Sequence, residues 1–264
     1  MLKAVALHHG NRLQQRSISV ARFLQSRIEV VALAWLVIIS LGCLPRLLFP
    51  ATPITGWQDL FWLLFPYACI AAAPVAGYLV ATGSFPRGLL TAQPALRLSI
   101  YGRWRELGVV EARDNPAFGP AGFLTSLLIG LLLNVVVRSF EFLVSMPAMG
   151  GNAPAWGQLL FTLMAGDVII MSFFYAVCFV MALRAVPLFP RMLLLAWAID
   201  IMIQLVIART ITETPGVPQA VMGALHTLLE GNITKVLISA VVWLPYLILS
   251  DRVNLTYRCR VRQA

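Results

Sequence analysis

Charge is what this sequence has least of. Only 12% of the 264 residues are charged, against 59% hydrophobic, and the mean hydropathy is +0.82. A soluble domain needs many more charged side chains to cover its surface, so lipid must be the solvent for most of the chain. Acid is scarcer than base: 11 Asp and Glu stand against 20 Lys and Arg, a formal charge of +9. In a soluble protein that excess would point to nucleic acid. Here the basic residues sit between long apolar runs, where anionic lipid headgroups meet them, and nucleic acid is excluded as a partner. Lysine occurs only as Lys3 and Lys235, an arginine bias that reads as the mark of a GC-rich bacterial genome.

Cysteine is sparse as well. Cys43, Cys69 and Cys178 lie in apolar runs and Cys259 lies among arginines; none forms a CxxC pair, so neither a disulfide frame nor a zinc site is indicated. The sequence has no HExxH, no G-x-S-x-G, no Walker A and no dinucleotide fingerprint, so no enzyme class and no cofactor is expected. No secretory signal peptide is expected either. The first apolar run starts near Glu29, has the length of a membrane span and is followed by no convincing cleavage site.

What the sequence does have is six apolar runs. A hydrocarbon core of ~30 Å needs about 20 apolar residues in helix, and lipid offers backbone groups no other partner. The runs are Val30–Pro50, Leu60–Thr82, Gly119–Ser145, Gln158–Leu183, Met192–Ile211 and Ile233–Ser250. Basic residues cluster in the N-terminal segment (Lys3, Arg12, Arg16, Arg22, Arg27), in the loop after run two (Arg87, Arg97, Arg103, Arg105, Arg113), after run four (Arg184, Arg191) and in the tail (Arg252, Arg258, Arg260, Arg262). All four segments fall on one side if every run spans. The positive-inside rule then puts both termini in the cytoplasm of a bacterial inner membrane. The expectation is an all-α polytopic membrane bundle of six transmembrane helices with interfacial amphipathic helices beside them.

Three segments look interfacial. Leu13, Val20, Leu24 and Ile28 share a helical face, with Gln15, Ser19, Arg22 and Ser26 opposite. Leu96, Ile100, Trp104 and Leu107 share another, flanked by Arg97, Arg103 and Arg105. Both suit a basic amphipathic helix lying on headgroups, the alternative being a solvated connector. The third runs from Pro218 to Glu230 and is expected to stop at Gly231. Pro66 and Pro74 should kink the second span, where Ala73 and Gly77 would let a neighbouring helix approach closely. The chain reads as two units: 1–118 with two spans and a long basic loop, and 119–264 with four spans.

The last span ends Trp243-Leu244-Pro245-Tyr246, followed by Ser250, Arg252-Val253 and Thr256-Tyr257. This resembles the C-terminal signature of the YdgK-like family of bacterial inner-membrane proteins, with Tyr257 in place of the usual phenylalanine. Gly119-Pro120-Ala121-Gly122-Phe123 and Leu188-Phe189-Pro190 are similar to further family features, so the resemblance covers about 118–257. It implies a four-helix membrane domain and no activity. By physics alone, Trp243 and Tyr246 suit an interfacial aromatic anchor, Pro245 would bend the last turns, and Arg252 would meet headgroups.

The best functional leads are polar groups at membrane depth, where an ionised side chain costs about 2.5–3.5 kcal/mol on insertion scales. Asp167 and Asp200 lie within the fourth and fifth spans; Asn134, Arg138 and Glu141 lie in the third. Arg138 is expected to pair with Asp167 or Asp200. Such a pairing would lock the helices; the same residues would also suit a route for protons or a polar solute. In a third arrangement Arg138 and Glu141 are wet near the interface and the aspartates pair elsewhere or are protonated. An aspartic dyad is disfavoured because neither aspartate has glycine-rich surroundings. His226 and Glu230 lie one turn apart, which suits a polar helix face better than a two-ligand metal site, and His8-His9 invite the same reading. Two roles follow: a non-enzymatic accessory or assembly subunit packing against a membrane-protein partner or a second copy, or a small transporter.

Overall fold

The computed structural model describes residues 15–86, 93–94 and 102–263. Leu13, Leu96, Arg97, Ile100, His8 and His9 lie outside them. Within the described residues the chain is helical almost throughout. A short helix over 15–26 (α1) precedes α2 (Ile28–Leu48) and α3 (Trp57–Ser84). Strand β1 (Trp104–Glu106) and a one-turn helix α4 (Val109–Asp114) lead to α5 (Phe123–Ser145), α6 (Ala155–Leu183), α7 (Phe189–Thr212) and α8 (Gln219–Leu249). The chain closes with α9 (Asp251–Arg258) and β2 (Arg260–Arg262). Six helices, α2, α3, α5, α6, α7 and α8, are long and apolar enough to cross a membrane, and the protein is a multi-pass membrane protein.

Hydrogen bonds between connections sort them onto two faces. On one, Ala51 N–H donates to Ala148 O at 2.8 Å and Gly150 N–H to Thr52 Oγ1 at 2.7 Å. On the other, Arg184 donates to Thr82 O at 2.9 Å, Gly122 N–H to Ser17 Oγ at 2.8 Å, and Tyr257 Oη to Ala182 O at 2.9 Å. The arginine-bearing segments therefore gather at one end of the bundle, as alternating spans require.

Helix α3 packs along α6 more extensively than any other pair of elements. A Cβ on Gly77 would stand 2.5 Å from the Phe173 carbonyl oxygen and 3.1 Å from Ala176 Cβ. Only glycine permits that approach, which is the small-residue contact expected of Ala73 and Gly77. The core also crosses position 118. Leu24 and Ala81 pack with Leu124, Tyr175 and Leu183, and Leu63 and Tyr67 pack with Phe142 and Phe161. The expected division into 1–118 and 119–264 is thus no boundary in the packing.

Several boundaries shift from the sequence reading. Helix α5 starts at Phe123, after Gly119 and Gly122 take positive φ values of 99° and 67° and turn the chain into it. Gly231 does not stop a helix: α8 runs unbroken from Gln219 through Gly231 to Leu249, so the third interfacial segment is the first half of the last span's helix. An internal glycine costs roughly 1 kcal/mol, less than unpaired backbone groups in lipid. The segment around Trp104 is corrected too. Trp104 and Arg105 belong to β1, paired antiparallel with β2 in the register Trp104↔Arg262 and Glu106↔Arg260, while Arg103 O accepts from Gln263 N–H at 2.9 Å. The helical spacing there was coincidental, because a distant strand supplies the backbone partners. Helix α1 is amphipathic as expected, with Gln15, Ser19, Arg22 and Ser26 exposed. Its apolar face, through Ala21 and Leu24, is buried in the protein.

Candidate functional site

The buried apolar residues form two large clusters, one toward each end of the bundle. On α5 the first holds Leu124 to Val135 and the second Phe142 and Leu143; on α7 they hold Phe189 to Trp197 and Ile207 to Ile211. Helices α6 and α8 divide in the same way, near Asp167 and near Asn232. The gap between the clusters is filled by one polar layer contributed by all four helices.

Arg138 of α5 is its centre. Nη1 donates to both carboxylate oxygens of Asp167 on α6, each at 2.9 Å. Nη2 donates to both oxygens of Asp200 on α7, each at 2.6 Å. The expectation of one aspartate or the other is resolved as both. Tyr175 Oη donates to Asp200 at 2.8 Å and Gln204 Nε2 to Asp167 at 2.9 Å. Asn232 of α8 completes the chain, its Nδ2 donating to Gln204 Oε1 at 3.2 Å. Asp167 and Asp200 are 2% and 0% exposed. One guanidinium thus answers two carboxylates, an excess of one negative charge when all three groups are ionised.

Two of the residues expected beside Arg138 lie elsewhere. Glu141 turns away and pairs with Lys235 of α8 on the exposed side. Asn134 is half-buried in the wall of a cleft between α5 and α8. This cleft, of about 210 Å³, is lined by Gly130, Asn134, Arg138, Glu141, Asn232 and Lys235, among others. It reaches Arg138 and Asn232; the two aspartates are not in its wall.

Tyr175, Gln204 and Asn232 were not found from sequence. Gln204 lies one turn after Asp200 in an otherwise apolar helix, a signal that was available. Asn232 was hidden by placing a helix stop at Gly231. His226 Nδ1 lies 3.2 Å from Glu230 Oε1, with both side chains well exposed, the polar helix face expected of them. The four cysteines are free.

No known family, curated protein or solved structure matches this chain. None of these comparisons identifies a YdgK-like family; that expectation rests on the sequence residues alone. Of those residues, Trp243 stacks on Phe123 at 4.7 Å between centroids, and Tyr246 meets the same ring edge-on at 5.0 Å. The aromatic motif thus joins α8 to the start of α5. Pro245 lies inside α8 without ending it, and Arg252 stands in the first turn of α9, half-buried near Gly122.

Proposed function

We propose that this chain is a non-enzymatic multi-pass protein of a bacterial inner membrane, with both termini cytoplasmic, serving as an accessory or assembly subunit that packs against a membrane-protein partner or a second copy. The arginine-rich end supports the orientation through the positive-inside rule, and the resemblance to the YdgK-like family supports the bacterial membrane. The observation that carries the role is the closure of Asp167 and Asp200, each saturated by Arg138 and by Tyr175 or Gln204. Buried ionic groups bonded in this way serve best to specify which helices pack and in what register. A locked bundle of this kind suits a scaffold.

A second reading, a small transporter or proton-coupled permeation unit, is favoured by one observation. The polar cleft between α5 and α8 connects to Asp167 through Asn232 and Gln204. Purification into lipid nanodiscs followed by native mass spectrometry tests the first reading, which expects a stoichiometric protein partner or a dimer. A solitary chain that carries proton flux in liposomes, lost on Asp167→Asn, would replace it with the second.

A further inference from the structure

The arginine-rich end contains a second polar feature, separate from the Arg138 layer. Cys259 takes a left-handed conformation, φ 46°, at the end of α9. That turn sends the chain into β2 and leaves Arg258 and Arg260 both buried. Arg258 is 4% exposed. Its Nη1 donates to Leu247 O at 2.8 Å and to Asn254 Oδ1 at 3.0 Å, but its Nη2 is shut from solvent with no acceptor. Arg191 in the first turn of α7 is in the same condition: its Nη2 is buried and unpartnered.

The two lie on elements packed together. Phe189, two residues before Arg191, meets Tyr257, the neighbour of Arg258, at 5.1 Å between ring centroids. Burial first, then the charges of Arg260 and Arg191, pushes the Arg258 guanidinium down to about 10. Arg260 is better provided for: its Nε donates to Asn254 Oδ1 at 3.0 Å, its guanidinium lies 5.1 Å over Trp104, and Glu106 stands opposite in the β register. Among the described residues neither Arg191 nor Arg258 has an ion-pair partner.

A buried donor left unpaired is costly, and more so when it is charged. The position of Arg191 adds to this, because the first turn of a helix presents the positive end of its dipole and repels a cation. Both defects are answered by the same thing, an anion with several acceptor oxygens. Planar guanidinium groups match phosphate oxygens in geometry as well as in charge. We propose that Arg191 and Arg258, at the junction of α7 with α9, form a binding site for a phosphate group, supplied by an anionic phospholipid headgroup or by free phosphate. The two nitrogens are closed off from solvent, so binding requires the α9–β2 segment to yield locally.

The test is thermal unfolding of the full chain in detergent, with sodium phosphate and, separately, with phosphatidylglycerol or phosphatidylcholine added. A rise in midpoint with phosphate and phosphatidylglycerol assigns a general phosphate site. A rise with phosphatidylglycerol alone assigns a headgroup. In either case Arg191→Gln should weaken the response by roughly tenfold in concentration, as expected for loss of one charge-assisted contact. Arg209→Gln, an exposed arginine at the opposite end of the bundle, should leave the response unchanged. Arg191 is only half-buried, so its variant remains available if Arg258→Gln fails to fold. No rise with any addition, or a rise that Arg191→Gln leaves intact, overturns the site.

Discussion

Arg138 Nη2 stands 2.6 Å from each carboxylate oxygen of Asp200, and the same guanidinium reaches Asp167 through Nη1. The arginine thus ties α5 to both α6 and α7 at the level where the two apolar clusters meet. Replacing it with leucine would leave two carboxylates facing each other in an apolar interior. Removing one member of a buried ion pair costs about 3–5 kcal/mol. Arg138→Leu is therefore expected to lose that much, measured by unfolding in a mixed-micelle denaturant series. Adding Asp167→Asn and Asp200→Asn to it should recover most of the loss. A triple variant as unstable as the single one would show that the charges are not what the arginine answers.

The two aspartates should respond differently to neutralisation. Asp200 accepts from Tyr175 and from the shorter arginine contacts, whereas Asp167 shares its arginine contacts at 2.9 Å with the Gln204 amide. Asp167→Asn removes the excess negative charge and leaves a one-to-one Arg138–Asp200 pair. Its stability should stay within about 1 kcal/mol of the parent. Asp200→Asn breaks the shorter bonds and should cost about 2 kcal/mol or more. Equal losses in the two variants would contradict this ranking.

Much of this was legible in the sequence, because lipid constrains it strongly. The six spans followed from run length, and Arg138, Asp167 and Asp200 stood out because charge at that depth demands a partner. The sequence did not reveal that Arg138 meets both aspartates at once, since helix rotation about its axis depends on packing across the whole bundle. Glu141 was drawn into the layer by its spacing from Arg138, yet it faces Lys235, a residue whose reach across the α5–α8 cleft no local pattern encodes. Trp104 was misread because its strand partner, Arg262, lies at the far end of the chain. Gly231 was misread because its ordinary punctuating role fails where water is absent.

Tyr257 supplies a test of how the C-terminal segment is held. It is fully buried and its hydroxyl donates to Ala182 O at 2.9 Å, joining α9 to the end of α6. The ring is retained in Tyr257→Phe and only the hydrogen bond is lost. Ala182 O also accepts from Ala185 N–H at 3.2 Å, so the carbonyl keeps a partner. The expected loss is about 1 kcal/mol. It should appear as faster proteolysis near residue 250, with the midpoint of the six-helix bundle little changed. A large fall in the global midpoint would mean that α9 is integral to the bundle and not an appended clasp.

Gly77 offers the sharpest test of the membrane packing, because its contact is with backbone. A Cβ there would sit 2.5 Å from the Phe173 carbonyl oxygen, and a main-chain atom cannot rotate away as a side chain can. Gly77→Ala must separate α3 from α6. In an isolated helix the same change would gain roughly 1 kcal/mol of propensity. Here overpacking should outweigh that gain, for a net loss of about 1–3 kcal/mol. Gly83 serves as the control: it lies on the same helix with nothing within 4 Å of its Cβ position. Gly83→Ala should be neutral or slightly stabilising. If both variants unfold alike, α3 is not seated against α6 at Gly77, and the cores that span position 118 would come apart with that contact.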